Sequence, residues 1–203
     1  YTQSDSADRD VPYDTFVTGT DFFGNVDRDV TTQTGSLFYY FQPAGNDLID
    51  LEAALTYSNQ EIDQTYIPFT NGFGAEVGFG VVDADLQYER TKLTVKNTSF
   101  VQTGSIEHEI RTGVEFIQND RLEASAAPGG TDNRQAIFII DNIDFGNGLT
   151  FTPALRYENQ TLETDFFDLD AGERVDGEFD DSAVMGGASL RYQFEIGFAV
   201  FGS

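Results

Sequence analysis

The sequence predicts an all-β chain: an antiparallel segment of about eight strands from a transmembrane β-barrel. Three observations carry this. Apolar and polar residues alternate with period two over long stretches. Short turns alternate with long acidic loops. Aromatic side chains gather in two rows, about ten residues apart along the strands, the height of a barrel's apolar band.

Alternation is clearest in GSIEHEIRTGVEF (104–116). Ile106, His108, Ile110, Thr112, Val114 and Phe116 share one face; Glu107, Glu109, Arg111, Gly113 and Glu115 share the other. Strands in soluble sheets commonly run only about five or six residues. The same two-faced pattern returns in LIDLEAALTY (48–57), LTFTPALRYE (149–158) and VMGGASLRYQF (184–194), while helical periodicity is hard to find. Strands are expected over 34–42, 48–58, 83–100, 105–118, 135–145, 149–160 and 183–194, with another beginning at 198.

Turn-forming residues sit at PAGND (43–47), QTG (102–104), GNG (146–148) and EIG (195–197). Longer polar segments lie between them, at 59–82, 118–134 and 160–182. Phe38, Tyr39, Tyr40, Phe41, Phe145, Phe151, Tyr192, Phe194 and Phe198 fall near the short turns. Tyr57, Phe116 and Tyr157 fall further along their strands. Ten residues at ~3.3 Å rise and ~40° tilt span about 25 Å, so these rows suit the two interfaces of a membrane. An ordinary β-sandwich would also alternate, but it explains the strand length and loop asymmetry less well.

Composition narrows the class further. Nineteen Phe and nine Tyr accompany one Met, no Trp and no Cys, which removes disulfides and thiolate metal sites from consideration. Lys and Arg number 11 against 35 Asp and Glu, for a formal charge of −24. A nucleic-acid partner is disfavoured, because polyanions attract basic surfaces. The aromatic content argues against a disordered acidic chain. No run of about 18 apolar residues could form a spanning helix. The chain begins YTQSDSADRD, so a leader has been removed or the chain is an internal piece of a longer protein.

Candidate sites are few. His108, the only histidine, lies on an apolar face four residues beyond a turn, where an interfacial position suits it better than ligation of haem or a metal. Glu107, Glu109, Arg111, Glu115, Arg156, Glu158 and Arg191 belong to polar faces, as solvated or mutually paired groups in a lumen. The acidic segment 161–181 offers Asp165, Asp168, Asp170, Asp176, Asp180 and Asp181, oxygen ligands of the kind Ca²⁺ takes. No EF-hand spacing is present, so a solvated loop is the simpler expectation. Ca²⁺ there is the one cofactor considered. GFGAEVGFG (72–80) lacks the Lys-Ser/Thr of a phosphate loop, and Gly-x-Ser-x-Gly is absent; no catalytic residue is assigned and no enzyme is expected.

Three stretches resemble the barrel of TonB-dependent outer-membrane receptors: TKLTVKNTSFVQTGSIEHEIRTGVEF, APGGTDNRQAIFIIDNIDFGNGLTFTPALRYE and AVMGGASLRYQFEIGFAVFGS. A looser likeness extends over most of 30–203. EIG replaces a more usual polar turn, and Asn142 stands where an acidic residue is commoner. The resemblance implies a barrel of about 22 strands, a plug domain and a short segment that engages TonB; neither of the last two can be seen in this sequence. It also implies uptake of a ferric chelate, haem or a similar nutrient at the bacterial outer membrane. The expected partners are outer-membrane lipid, the remaining barrel and plug, TonB through the plug, and a small nutrient ligand.

The expected division is an acidic loop or extension over 1–33 and part of a barrel over 34–203, with no plug. The final strand, six residues long, is shorter than the ~9–11 a spanning strand needs, which favours a segment of a larger barrel. Two other readings fit the residues: an acidic β-rich subunit assembling through open strand edges, and a soluble Ca²⁺-binding sandwich.

Overall fold

Strands that pair with their chain neighbours, up and down without a crossover, define the architecture. The computed structural model describes residues 1–12, 25–67, 69–70, 76–77, 85–124, 129–168 and 173–203. The strands are β1 (Thr2–Pro12), β2 (Asn25–Phe41), β3 (Leu51–Ile67), β4 (Phe69–Thr70), β5 (Glu76–Val77), β6 (Leu86–Thr103), β7 (Ile106–Ala124), β8 (Gly130–Asp144), β9 (Leu149–Asp168), β10 (Glu173–Gln193) and β11 (Ala199–Gly202). Nine form one antiparallel sheet in the order β1-β2-β3-β6-β7-β8-β9-β10-β11, and β4 and β5 form a two-residue ladder of their own. The all-β expectation holds, and the single large sheet is that of an unclosed part of a barrel rather than a sandwich.

The connections alternate as expected. Those following β2, β6, β8 and β10 are short and share one end of the sheet. Gly104 illustrates the chemistry: it adopts φ 65°, a left-handed conformation that suits a residue without a Cβ, and allows β6 to turn straight into β7. At the β8–β9 turn, Asp144 and Asn147 side-chain oxygens accept from the backbone N–H groups of Gly146 (2.8 Å) and Leu149 (3.1 Å).

At the opposite end the strands run further than the sequence suggests. Residues 59–67, 118–124, 130–134, 160–168 and 173–182, expected as loop, are strand. The ladder continues because a backbone hydrogen bond does not need an apolar face, and the Thr, Ile, Val and Phe residues within the arms suit a pleat. Within the 1–33 expected as an acidic loop or extension, Thr2–Pro12 pairs with β2, whose first residues extend down to Asn25; 13–24 lie outside the described residues.

Almost no conventional core exists. Among the described residues only Val26, Ala136 and Thr98 are buried, while Val184 (70%), Ile137 (58%) and Leu155 (52%) are widely exposed. Monomeric soluble folds rarely leave so continuous an apolar surface in water. Register gathers these residues onto one face: Leu55 opposes Leu93, Val114 opposes Ile137, Ile137 opposes Tyr157 and Tyr157 opposes Val184. The three buried side chains all lie on the other face.

Candidate functional site: the two faces of the sheet

The polar face is the inner one. Besides holding the buried side chains, it forms a recess lined from β2, β3, β6, β7, β8 and β9 together, which requires the sheet to curve around it. Every Lys and Arg lies on this face except Arg9 and Arg174, whose side chains fall outside the described residues. Alternation produces this segregation directly, since Tyr88, Arg90 and Lys92 are two apart on β6, as are Arg134 and Ala136 on β8.

Several of these cations are held by carboxylates on neighbouring strands. Glu115 receives Lys92 Nζ at 2.6 Å and Arg156 Nη2 at 3.0 Å, and Arg156 also reaches Glu158 at 2.6 Å. Lys96 pairs with Glu52, directly opposite on β3, at 2.8 Å. Lys92, Lys96 and Arg156 are thus paired across strands through side chains aligned by register, while Arg156–Glu158 and Arg111–Glu109 pair two residues apart along one strand. Glu107, Glu109, Arg111, Glu115, Arg156, Glu158 and Arg191 all occupy the face expected of them.

Beyond Tyr57, Phe116 and Tyr157, towards the long-connection end, Asp132 anchors a second cluster. Arg134 Nη2 lies 2.8 Å from its Oδ2, Gln160 donates to Oδ1 at 2.8 Å, and Asn119 donates at 3.2 Å. Burial raises the Asp132 carboxyl, but these donors together outweigh it and hold the group below the usual carboxylate range. The hydrogen bond to Asp132 in turn lifts the Arg134 guanidinium above its ordinary value.

The outer face changes character along its height. From the short turns to Tyr57, Phe116 and Tyr157 it is apolar, with a shallow groove of about 560 Å³ beside Val95, Val114 and Ile137. The exceptions in this zone include His108 and Asp141, which meet each other: His108 Nδ1 is 2.8 Å from Asp141 Oδ2. Above the aromatic row the face is acidic, and carboxylates oppose carboxylates in register: Asp29 faces Asp63, Glu89 faces Asp120 and Glu163 faces Glu178.

The inner recess lies at this same far end and has a volume of about 680 Å³. Tyr88, Arg90, Asn119 and Arg121 stand together in its wall, and the Arg121 guanidinium lies 5.6 Å from the centre of the Tyr88 ring.

A family profile for the "TonB dependent receptor-like, beta-barrel" domain matches residues 1–203, the whole chain. The chain belongs to the TonB-dependent receptor β-barrel family. No curated protein matches it. Solved receptor structures share the fold at low sequence identity. A double mutant of the Serratia marcescens hemophore receptor HasR, in complex with its hemophore HasA and heme, matches at 16% identity and TM-score 0.58, over 82% of this chain and 27% of that one. The Acinetobacter baumannii siderophore receptor PiuA matches at 12% identity and TM-score 0.65, over 83% and 31%. The ferric citrate transporter FecA in its unliganded form matches at 14% identity and TM-score 0.68, over 87% and 27%. This receptor-barrel chain therefore spans less than a third of each of them.

The family is one of outer-membrane receptors and transporters. Of the residues considered for Ca²⁺, Asp170 and the side chains of Asp165 and Asp168 fall outside the described residues. Asp176 and Asp180 lie on the outer face of β10 and Asp181 on the inner, and Asp180 accepts from Thr161 Oγ1 at 2.7 Å. Among the described residues, no three His, Asp or Glu side chains converge. The recess at Tyr88, Arg90 and Arg121 was not singled out by sequence reasoning. The alternation through LQYERTK carried the signal on β6, but only the pairing of Tyr88 with Arg121 brings β7 into the same wall.

Proposed function

We propose that this chain is part of the wall of a bacterial outer-membrane receptor that imports a ferric chelate, haem or a similar scarce nutrient in a TonB-dependent step. One observation carries the reading. The long sheet is apolar on its outer face only between two aromatic rows, while the cations line its inner face. A wall between lipid and a polar lumen needs that arrangement, since backbone groups in the bilayer are satisfied by neighbouring strands and the Lys and Arg side chains face inward.

In this reading the long-connection end stands outside the cell and captures the ligand. The short turns face the periplasm. A plug would rest against the inner face, and TonB would act on the barrel's cargo through that plug. The chain's own contribution is mechanical and electrostatic. Lateral pairs such as Lys92–Glu115–Arg156 hold the wall in register while leaving the lumen wet. The solved structures named above are a hemophore receptor in complex with its hemophore and heme, a siderophore receptor and a ferric citrate transporter, which supports an iron-bearing nutrient as the ligand class.

The reading is tested by deleting the gene and measuring growth and radioactive iron uptake under iron limitation, with and without functional TonB. Uptake that depends on both the gene and TonB, with the protein in the outer-membrane fraction, is expected. Recovery in the soluble fraction, or unchanged uptake of every chelate tried, overturns it.

A further inference from the structure

We infer that the outer face binds the phosphate of a membrane phospholipid at His108, with an acyl chain laid in the groove beside Val95, Val114 and Ile137. This rests on reading the sheet as a membrane wall, and adds a bound lipid that the uptake reading does not supply.

Charge singles out the position. Among the described residues no Lys or Arg side chain lies on the outer face, so His108 is the one side chain there able to carry positive charge. Its height suits a headgroup. His108 shares a cross-strand row with Val101, Ile143 and Phe151, and Phe151 belongs to the aromatics near the short turns. From Gly104 to His108 the strand climbs about 10 Å, from the turn to the interface.

The ring is held ready for a ligand. A carboxylate only accepts, so Nδ1 carries the proton in the 2.8 Å contact with Asp141 Oδ2. No described residue bonds Nε2, and it is not buried: among the described residues the buried side-chain nitrogen and oxygen atoms without a partner are Arg28 Nε and Asp141 Oδ1. In the imidazolium, Nε2 donates a charge-assisted hydrogen bond to an oxyanion. Thr103 is exposed and diagonal to His108 across the β6–β7 ladder, and adds a hydroxyl on the same face.

The surroundings suit the rest of the lipid. Ile110 and Ile143 put aliphatic surface beside the polar pair. Beyond Ile110 the groove of about 560 Å³ begins at Thr112 and Val114 on β7 and at Ile139 on β8, two residues from Asp141, and reaches Tyr157 in the far aromatic row. A chain anchored at His108 and running away from the short turns would lie along it. Phosphate donor and apolar groove are thus adjacent on one face, as a phospholipid requires.

The test uses the full-length receptor, purified in detergent, with lipid retention read by native mass spectrometry. The probes are a diacyl phosphatidylethanolamine, a galactolipid with the same acyl chains and no phosphate, and inorganic phosphate. The phospholipid is expected to be retained at least about fivefold more than the galactolipid. His108→Phe should bring it down to the galactolipid level, whereas Val114→Trp, which fills the groove, should weaken both lipids. Between about pH 5.5 and about pH 8.5 phospholipid retention should fall in the wild type and not in His108→Phe. Among the described residues Asp141 is the one ionisable side chain facing His108 from β6, β7 or β8, since Glu107 and Glu109 point to the inner face.

Equal retention of the two lipids by the wild type, or unchanged phospholipid retention in His108→Phe, overturns the inference. So does displacement of the phospholipid by an equal concentration of inorganic phosphate, which would make the ligand a free anion. If His108→Phe fails to fold, pH-independent retention by the wild type overturns it equally. TonB-dependent uptake without any preference for the phospholipid keeps the uptake reading and sinks this one; recovery of the protein in the soluble fraction sinks both.

Discussion

His108 Nδ1 lies 2.8 Å from Asp141 Oδ2 on the outer, largely apolar face of the sheet. The two residues occupy diagonal positions, because Ile143 directly opposes His108 and Ile110 directly opposes Asp141. Both are about three-quarters covered, and among the described residues Asp141 Oδ1 has no hydrogen-bond partner. The histidine therefore acts as the partner that makes a carboxyl group tolerable on an otherwise apolar face.

Removing one member of this pair should cost more than removing both. His108→Leu leaves a poorly solvated carboxyl group, whereas His108→Leu/Asp141→Leu turns the position into ordinary lipid-facing surface. We expect the single variant to lose ~1–3 kcal/mol, below the range for fully buried pairs, and the double variant to recover most of it. Urea unfolding of the full-length receptor in lipid vesicles measures both. A double variant as unstable as the single one would show that the pair contributes more than mutual compensation.

Gly113 and Phe138 form a second dependent pair, on the inner face. They are directly opposite, and a Cβ on Gly113 would stand 2.5 Å from Phe138 Cζ and 2.7 Å from the carbonyl oxygen of Val95. The ring thus covers the bare backbone of β7. Gly113→Ala should destabilise by ~1–3 kcal/mol through overpacking. Adding Phe138→Leu should restore only part of the loss, because the Val95 carbonyl belongs to a fixed ladder and cannot move aside. Full restoration in the double variant would place the whole clash in the ring.

Stability should also depend on pH through Asp132. Its folded-state carboxyl titrates below the ordinary value, so its contribution is complete above the unfolded value of about 3.9 and disappears as pH falls through the lowered folded value. Asp132→Asn should therefore lower the guanidinium midpoint at pH 7. The gap between variant and wild type should hold down to about pH 4 and close below it. A gap that persists unchanged at pH 2.5 would mean that the carboxylate charge is not what binds Arg134, Gln160 and Asn119 together.

Much of this architecture was legible because a strand's two faces follow from counting by two. That rule alone placed Glu115, Arg156 and Arg191 inward and His108, Phe116 and Tyr157 outward. Partnership was not legible, because it depends on register between strands. His108 and Asp141 are separated by a hairpin, and nothing local to GSIEHEIRTGVEF names the acid that answers the histidine. The same limit hid the recess, since Arg90 and Arg121 become neighbours only through the β6–β7 ladder. Strand length was understated for a different reason. An apolar face marks where lipid begins and ends, while the arms beyond Tyr57 and Tyr157 have no apolar face to announce them. Residues 2–12 and 25–33 were hidden in this way, being polar strands read as an acidic extension.

Those arms carry an avoidable strain, which gives a last expectation. Glu163 and Glu178 are directly opposite on β9 and β10, both exposed, and like charges so placed destabilise a sheet. Glu178→Lys exchanges the repulsion for an attraction and should stabilise the hairpin by ~0.2–1 kcal/mol, towards the lower end because water screens the pair. Added NaCl should stabilise the wild type more than the variant, since screening relieves repulsion in the first and weakens attraction in the second. Denaturant midpoints at 50 and 500 mM NaCl separate the cases. A variant that gains nothing at low salt, or gains equally at both, would show that Glu163 and Glu178 do not interact across the ladder.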